Sequence, residues 1–437
     1  MSEIDGDPKN GDHDHSEEKS KVLITQSTAG ILKFLAPSQT NWQDISPNAA
    51  KIYDLDKTNK IYIEDKEARR MIDEMLLSSL QMPSLVVLAG SGTSLGDVGG
   101  PSMEDLWNCA MNNESGVFKD KATEIMEMVN FDYSNEGKNI EAFLSQCEAY
   151  LQITDDLSVR DFVENCKKVT HDKCTKFLND DTTGKLLEEK LDGHCTFLHR
   201  LSRRRVRDPR LKIFTTNYDL CFERAAGLQG LIVNDGFSFT QPRIFDPRFF
   251  GYDFVRRSRL TAEHGDYLEG VFHLLKLHGS VNWVSNNGRI EEKNNPDPSK
   301  VCLIYPAKGK YQRSYIQPHL ELISQYLSSL REPNTCLIVM GFGFKDDHLS
   351  EPILAAVKTN PLLRLIVVDF KAEDFIERPS EETSPYWDEL KTRAHNGDDI
   401  WFINASFKDF SFLIPDLKSL TSAQQLENVI KRVGWNK

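Results

Sequence analysis

Residues 84–94 read Ser-Leu-Val-Val-Leu-Ala-Gly-Ser-Gly-Thr-Ser, an apolar run of strand length followed at once by a glycine-rich turn. A continuous apolar run that ends in turn residues is typical of a strand buried on both faces of a parallel sheet. Later segments of the same character predict further strands of that sheet, at residues 211–215, 272–277, 301–305, 336–340, 363–368 and 400–403. Helical patterns separate several of them, and strands that alternate with helices predict an α/β fold with a doubly wound parallel sheet.

A long stretch between the first two predicted strands interrupts this alternation. Residues 103–207 contain several helical patterns, for example 140–151 and 185–201, and no convincing strand, so they predict a helical module inserted into the domain. Residues 242–270 lack a period, and we expect a long loop or small subdomain near the functional site. The predicted organisation is a disordered acidic tail (1–20), a mixed N-terminal segment (21–83), the α/β domain with its insertion (84–410) and a helical C-terminal tail (411–437).

Charge and hydropathy argue against several functional classes. The formal net charge of −13 argues against a nucleic-acid-binding surface spread over the protein, because phosphate contacts need clustered Lys and Arg. The arginine-rich residues 203–210 are better explained as a solvated helix end. The sequence has no apolar stretch long enough to span a bilayer, and its acidic N-terminus lacks the apolar core of a signal peptide. We therefore expect a cytoplasmic protein that contacts neither nucleic acid nor a membrane directly.

The eight cysteines show no metal-binding pattern. None forms a Cys-x-x-Cys pair, whereas a structural zinc site usually shows two such pairs. Scattered cysteines in a cytosolic chain are most often reduced and buried. We therefore expect no zinc.

The first candidate site is the loop directly after the first strand, made of Gly90, Ser91, Gly92, Thr93 and Ser94. Glycines let a phosphate approach the backbone closely, and backbone N–H groups with a Ser or Thr hydroxyl can bind it. With a further glycine at position 96, the loop is close to a Rossmann dehydrogenase fingerprint. A helical stretch follows, however, where that fingerprint needs a strand ending in an acidic residue. A tight turn without a ligand is the alternative.

Two more candidates follow the second and third predicted strands, and ligands of open α/β sheets bind at such strand ends. After the second strand come Thr215, Asn217 and Asp219. The Asn217 carboxamide can orient a ribose hydroxyl or a water, whereas Asp219 can instead cap the next helix. After the third strand come His278 and Gly279. A histidine there can act as a general base near neutral pH, although a lone histidine is more often structural.

The last two candidates follow later strands. Gly341 and Phe342 come after the strand at 336–340, where small residues are consistent with a nucleotide ribose packed against backbone. Asp369 follows the strand at 363–368, and its carboxylate can accept hydrogen bonds from an adenosine ribose or from the adenine amine. Helix capping is equally plausible for Asp369.

The order and spacing of these five motifs resemble the Sir2 superfamily. In that family a Gly-Ala-Gly-x-Ser loop holds the cofactor, a Thr-Gln-Asn-x-Asp segment carries the reactive-site Asn, and a His-Gly-Ser segment carries the catalytic His. The corresponding stretches here are residues 90–94, 215–219 and 278–280, and the resemblance covers roughly residues 84–370. Two departures are that Thr216 stands where deacetylase sirtuins have Gln, and that the two Cys-x-x-Cys pairs of the sirtuin zinc module are missing.

Both departures, together with the phrases TTNYD at 215–219, KLHGSVNW at 276–283 and GFGFKDDH at 341–348, are similar to the bacterial Sir2-like proteins of antiphage defence. Members of that group typically hydrolyse NAD+ and starve the infected cell. The resemblance implies an NAD+ glycohydrolase that takes NAD+ as its substrate and forms a homo-oligomer. It also implies a separately encoded partner, such as a HerA-type ATPase or a short Argonaute.

The implied chemistry assigns a role to each motif. The glycine-rich loop cradles the pyrophosphate, Asn217 orients the ribose hydroxyls and the attacking water, and His278 accepts a proton. Two other functions remain open: an NAD+-dependent protein deacylase or ADP-ribosyltransferase, and a non-catalytic subunit whose assembly NAD+ or ADP-ribose regulates. Asn217 and His278 favour an enzyme. The helical module is the largest segment that the sheet does not need, and we expect it to control activity.

Overall fold

The computed structural model describes residues 32–45, 53–56, 59–61, 66–111, 117–204, 208–257, 265–303, 318–381 and 383–416. The predicted tail at 1–20 and residues 417–437 of the predicted C-terminal tail lie outside the described residues. The strands are β1 Lys33–Leu35, β2 Gln43–Asp44, β3 Tyr53–Asp56, β4 Asn59–Ile61, β5 Ser84–Ala89, β6 Leu211–Thr215, β7 Ile232–Asn234, β8 Arg243–Ile244, β9 Val255–Arg257, β10 Gly265–Tyr267, β11 Val271–Lys276, β12 Gly279–Asn286, β13 Arg289–Glu292, β14 Val301–Leu303, β15 Thr335–Met340, β16 Arg364–Asp369 and β17 Ile400–Asn404.

The α-helices are α1 Lys66–Leu80, α2 Met103–Met111, α3 Val117–Met128, α4 Tyr133–Glu136, α5 Ile140–Tyr150, α6 Leu157–Lys176, α7 Asp192–Leu201, α8 Cys221–Leu228, α9 His319–Arg331, α10 Asp347–Thr359, α11 Ala372–Glu377, α12 Pro385–His395 and α13 Phe407–Leu413. Short 3₁₀ turns occur at Ser91–Thr93, Gly96–Val98, Glu188–Leu191, Pro247–Gly251 and Pro298–Lys300. Within the described residues, no helix has the length and apolar character needed to cross a membrane.

Nine of the described strands form one large sheet in the order β2-β1-β17-β16-β15-β5-β6-β11-β7. The strands from β17 to β7 all run parallel, whereas β1 and β2 extend one edge in antiparallel fashion. From β5 the chain builds the sheet on one side through β6, then returns to place β15 on the other side of β5. The pair β5 and β15 is therefore the topological switch point, where ligands of open α/β sheets bind. The predicted α/β fold class is confirmed.

Six of the seven predicted strands belong to this sheet, each within one residue of its predicted bounds. The prediction that residues 301–305 form another parallel strand is wrong, because β14 pairs antiparallel with β12. These two strands lie in a separate four-stranded sheet of order β14-β12-β13-β8. Val301 and Leu303 are buried by the helical module instead of by the large sheet. A short apolar run looks the same in sequence whichever layer covers it.

Helices cover both faces of the large sheet. Helices α1, α7, α8 and α13 pack on one face, and α9 to α12 pack on the other. In β5, Leu85 and Val87 face the first group while Val86 and Leu88 face the second. This burial on both faces explains why the parallel strands read as continuous apolar runs.

The residues expected to form a helical module fold into α2 to α7. Helices α2, α3, α5 and α6 share a core around Trp107, Phe143 and Phe162. Tyr218 and Val281 belong to the same core, so the module packs on the second sheet and on the loop after β6. Helix α7 differs, because its apolar side joins the core of the large sheet. The segment 242–270, expected to be a loop or small subdomain, contributes β8, β9, β10 and a 3₁₀ turn.

Candidate active site

The glycine-rich loop after β5 lies directly against the loop after β15. The Gly90 N–H donates to the Met340 carbonyl at 2.9 Å, and the Gly92 N–H donates to the Gly341 carbonyl at 3.0 Å. A Cβ added to Gly92 would lie 2.5 Å from Gly341 Cα, closer than real atoms approach. Gly341 itself has a φ of +56°, a backbone angle that residues other than glycine rarely adopt. These glycines are thus required first by the contact between two backbone loops.

Asn217 is hydrogen-bonded to the glycine-rich loop. Its Nδ2 donates to Thr93 Oγ1 and to Ser94 Oγ, each at 3.0 Å. Its backbone N–H donates to Thr215 Oγ1 at 3.1 Å, which fixes the turn at the end of β6. Only 8% of Asn217 is exposed. The structure therefore places the carboxamide at the edge where β5 and β6 end.

Asp219 caps the helix that follows it and also bonds to the glycine-rich loop. Its Oδ2 accepts a hydrogen bond from Ser94 Oγ at 2.7 Å, and its Oδ1 accepts one from the Cys221 N–H at 2.9 Å. The second bond satisfies a free N–H at the start of α8, which is the work of a helix cap. The first bond holds the Ser94 hydroxyl with its lone pairs toward Asn217. Asp219 is thus a scaffold for the loop.

His278 lies between β11 and β12 and is 2% exposed. Its Nδ1 is 3.8 Å from Glu141 Oε1, and its Nε2 is 3.9 Å from Asp346 Oδ2. The buried Nε2 has no hydrogen-bond partner among the described residues. Burial by itself lowers the pKa of His278, but the two carboxylates outweigh it and raise that pKa above its ordinary value. His278 is therefore a stronger base than an exposed histidine.

Two carboxylates beside His278 were not assigned a role from sequence. Glu141 comes from α5 of the helical module and accepts a hydrogen bond from Tyr218 Oη at 2.6 Å. Asp346 precedes α10, and burial raises the pKa of its carboxyl group. The sequence feature that could have pointed to Glu141 is an acidic residue within an otherwise largely apolar helical segment. Asp346 stood within a quoted motif, but sequence spacing did not show which side chain it faced.

A cavity of about 300 Å³ opens beside the switch point, on the face covered by α7 and α13. Its walls include Gly92, Gly341 and Asp369. Lys190 and Lys408 also line it, and sequence patterns had not indicated them. The Asp369 Oδ1 accepts a hydrogen bond from the Lys371 N–H at 2.8 Å, and burial raises the pKa of Asp369 to about 6. The cavity thus combines backbone loops, the carboxylates of Asp97 and Asp369, and the two ammonium groups.

The remaining predicted residues occupy different surroundings. Ser91 is exposed in the glycine-rich loop. Gly279 has a φ of +83°, which lets the chain turn from β11 into β12. Phe342 is 5% exposed and packs edge-on against Phe344, with 5.4 Å between the ring centroids. Phe342 therefore belongs to the apolar core on the face opposite the cavity.

The structure does not offer the thiolate site that a sirtuin zinc module would need. No group of three His, Cys, Asp or Glu side chains in the described parts of the chain is arranged to hold a metal ion. Burial raises the pKa of Cys147 to about 12 and that of Cys302 to about 11, so both remain protonated thiols at neutral pH. Zinc binds the thiolate form, and neither thiol belongs to a cluster of three possible ligands among the described residues.

Comparison with known proteins gives one match to a family. A family described as "SIR2-like domain" matches residues 211–410, which include Asn217, His278, Gly341 and Asp369. The match covers less than half of the chain, and the glycine-rich loop and the helical module lie before the matched region. No curated protein matches the sequence.

Solved structures with a similar chain path include complexes of Sir2 proteins. One is a Sir2 homolog–NAD complex, with 12% sequence identity and a TM-score of 0.36, covering 78% of this chain and 91% of that one. Another is a Sir2 variant with a deacetylated p53 peptide and 3′-O-acetyl ADP ribose, with 10% identity and a TM-score of 0.37, covering 78% of this chain and 96% of that one.

Proposed function

We propose that this protein hydrolyses NAD+ to nicotinamide and ADP-ribose. The observation that carries the proposal is the pair of hydrogen bonds from Asn217 to Thr93 and Ser94. They join a carboxamide of the SIR2-like domain to the glycine-rich loop at the switch point of the sheet. This is the place where an open α/β sheet binds a nucleotide. The nearby His278 supplies a base whose Nε2 has no partner among the described residues.

The cavity supports binding of the adenosine diphosphate half of NAD+. Lys190 and Lys408 line its walls and can pair with a pyrophosphate, for which Lys408 would exchange Asp97, now 3.6 Å from its Nζ. Asp369 lines the same cavity and can accept hydrogen bonds from ribose hydroxyls. A volume of about 300 Å³ is at the small end of ligand pockets, as expected for part of a dinucleotide. Asn217 and His278 do not line this cavity, so the proposal requires the nicotinamide half to extend beyond it, past Thr93 and Ser94, toward Asn217.

The proposed reaction breaks the bond between ribose C1′ and the nicotinamide nitrogen. The electron pair of that bond leaves with nicotinamide, which becomes neutral, so the leaving group needs no acid. Asn217 holds the ribose and orients a water molecule, whose oxygen forms the new bond to C1′. His278 Nε2 accepts the proton that this water loses. The products are ADP-ribose, nicotinamide and one proton.

The enclosure of His278 favours hydrolysis over transfer to a protein. With 2% of its surface exposed, His278 is accessible to a water molecule more easily than to a lysine side chain of a folded protein. Thr216, in place of the Gln of deacetylase sirtuins, and the absence of Cys-x-x-Cys pairs from the sequence support the same choice. We further propose that the enzyme acts in the cytoplasm in bacterial antiphage defence by depleting NAD+. On this proposal it acts as a homo-oligomer with a partner such as a HerA-type ATPase or a short Argonaute.

Product analysis in H₂¹⁸O tests the reaction class. The full chain is incubated with NAD+, with and without an acylated peptide and a mixture of cellular proteins. Hydrolysis predicts ADP-ribose carrying one ¹⁸O atom, in equal amount to nicotinamide and independent of the added acceptors. Acyl-ADP-ribose or ADP-ribosylated protein would instead support a deacylase or transferase. Intact NAD+ in every condition, including with the candidate partner, would support a non-catalytic binder.

A further inference from the structure

The pair Glu141 and His278 joins two separate parts of the fold. His278 follows a strand of the large sheet, whereas Glu141 lies in the first turn of α5, in the helical module. Glu141 is 8% exposed, which is unusual for an acidic residue without a specific role. Its neighbours Ile140 and Phe143 are core residues of the module. The Glu141 carboxylate is therefore a buried charge at the boundary between the helical module and the candidate site.

Two features hold the Glu141 carboxylate in place. Tyr218 Oη donates a hydrogen bond to Glu141 Oε1 at 2.6 Å, and Tyr218 directly follows Asn217 in the chain. The carboxylate also stands at the N-terminal end of α5, where the helix dipole stabilises negative charge. Asn139 caps the same helix by accepting a hydrogen bond from the Ala142 N–H at 3.0 Å. One carboxylate oxygen thus lies between the Tyr218 hydroxyl and His278 Nδ1.

We propose that Glu141 is the positioning residue of His278, so that the seating of the helical module sets the base strength of the active site. Nδ1 of His278 carries the proton and points toward Glu141, which leaves Nε2 as the atom that accepts a proton. A carboxylate that faces Nδ1 in this way fixes the tautomer and stabilises the imidazolium that forms. This inference rests on the proposed function, because it assigns His278 the role of base.

Other titratable groups also face His278 and must be considered. Asp346 Oδ2 lies 3.9 Å from Nε2, and the His348 ring stacks on the His278 ring at 5.9 Å between centroids. His319 is also close enough for the charge of His278 to lower its pKa, and its Nδ1 lies 2.9 Å from the Leu277 carbonyl oxygen. Burial lowers the pKa of His348 to about 3 and that of His319 to about 4, so both are neutral at physiological pH. The charged candidates for orienting His278 are therefore Glu141 and Asp346.

Glu141 is favoured over Asp346 because it faces Nδ1 and is held by Tyr218. Burial raises the pKa of Asp346 above its usual range, which weakens its charge near neutral pH. Asp346 also faces Nε2, the atom that the reaction needs. The module core contains Tyr218 and Val281 as well as its own helices, so a shift of α5 would separate Glu141 from His278. Activity then depends on how the module packs.

A pH titration of His278 in the full chain tests the positioning role of Glu141, and it does not require the protein to be catalytically active. Protein labelled with ¹³C at histidine Cε1 is followed by NMR, and the His278 signal is assigned by its loss in His278→Asn. Glu141→Gln is expected to lower the pKa of His278, whereas Glu141→Asp retains part of the increase. Glu148→Gln is the matched control, because Glu148 lies on the same helix but pairs with Lys167 at 3.0 Å. It should leave the His278 titration unchanged.

Kinetics provide the second measurement. If NAD+ is hydrolysed, Glu141→Gln should lower kcat because His278 becomes a weaker base, by less than the roughly 10²–10⁴-fold that loss of the whole base would cost. The acid limb of its pH profile should move to lower pH, with KM unchanged. Tyr218→Phe should act in the same direction by a smaller factor, and it provides the test if Glu141→Gln does not fold.

The outcomes separate this proposal from the proposed function. A wild-type chain that leaves NAD+ intact contradicts the function, yet the titration still decides whether Glu141 sets the pKa of His278. An unchanged His278 titration in folded Glu141→Gln and Tyr218→Phe overturns the positioning role. A fall in that pKa seen only in Asp346→Asn would assign the role to Asp346 instead, and would likewise overturn it.

Discussion

Asn217 Nδ2 lies 3.0 Å from Ser94 Oγ, which in turn donates to Asp219 Oδ2 at 2.7 Å. These two side-chain hydrogen bonds, from Asn217 to Ser94 and from Ser94 to Asp219, link the loop after β5 to the loop after β6. The Ser94 hydroxyl accepts from Asn217 and donates to Asp219, and the Thr93 hydroxyl donates to the Gly90 carbonyl at 2.8 Å. Both hydroxyl protons are thus already engaged within the protein, and the loop is held in one arrangement.

The contact between Gly92 and Gly341 predicts that the loops tolerate no side chain. Gly92→Ala would place a Cβ 2.5 Å from Gly341 Cα, and both backbones would have to move apart. We expect this to cost about 1–3 kcal/mol in the free energy of unfolding, the usual range for overpacking. Denaturant unfolding measures it. Gly251→Ala is the control, because a Cβ there meets nothing within 4 Å, and equal stability of the two variants would contradict the prediction.

Asp369 predicts how NAD+ binding depends on pH. Its carboxyl group has a pKa of about 6, so it is mostly ionised above that pH and mostly protonated below it. An ionised acceptor binds ribose hydroxyls more strongly than a neutral one. We therefore expect KM for NAD+ to rise as the pH falls through about 6.

Steady-state kinetics of Asp369→Asn check this assignment. The variant should raise KM at pH 7 by roughly tenfold, the value of one hydrogen bond to a charged group, with kcat nearly unchanged. Its KM should also lose the dependence on pH. Asp388→Asn, at an exposed position on α12, is the control and should behave as the wild type does. A KM that is unaltered in Asp369→Asn would remove Asp369 from the binding site.

Metal removal should have no effect on fold or activity. The described residues hold no group of three possible metal ligands, and the sequence has no Cys-x-x-Cys pair. A structural zinc would carry folding energy, so chelation would lower the melting temperature if one were present. We expect identical melting curves with and without chelator. Stoichiometric zinc in the purified protein, measured by elemental analysis, would contradict this prediction.

We expect the active form to be an oligomer controlled through the helical module. An enzyme that destroys NAD+ has to be inactive by default, and the Glu141 contact gives the module a direct route to His278. A partner can shift this equilibrium only by binding the two states with different affinity. Light scattering at micromolar concentration, with NAD+ turnover followed as the candidate partner is titrated in, checks this. A monomer with full activity that no partner changes would rule it out.

The sequence predicted the parallel sheet because a strand buried on both faces leaves an unmistakable apolar run, as in residues 84–89. It did not predict β1 and β2, which are only three and two residues long, nor the sheet built around β12. In the β12 segment Gly279–Asn286 apolar and polar residues are mixed, and its recognisable feature is the His-Gly-Ser motif where the strand begins. Pairing between distant short strands is a tertiary property that local patterns do not encode.

Candidate site residues could be predicted from the sequence only where a reactive side chain comes directly after a strand. Asn217 and His278 could be found because both come just after apolar strands of the sheet. Glu141 lies far away in sequence, within a helix whose placement no local pattern gives. Lys190 and Lys408 likewise reach the cavity only through the packing of α7 and α13. Side chains that the tertiary fold brings to a site need the structure to reveal them.

The two residues placed nearest the chemistry call for closely matched controls. His278→Ala removes the proposed base, and Asn217→Ala removes the group that orients ribose and water. His395→Ala and Asn396→Ala change the same residue types at exposed positions where α12 ends. The melting curve of each variant shows whether its fold is retained, so a loss of activity can be assigned to chemistry.

The decisive measurement is the release of nicotinamide from NAD+ by the full chain, assayed with the partner if one is needed. We expect nicotinamide and ADP-ribose in equal amounts from the wild type and from both control variants. The expected loss is roughly 10²–10⁴-fold in His278→Ala, the usual effect of removing a general base, and comparable in Asn217→Ala. Near-normal release by either variant with an unchanged melting curve would contradict the assignment of that residue, and no release by the wild type would contradict the proposed hydrolysis of NAD+.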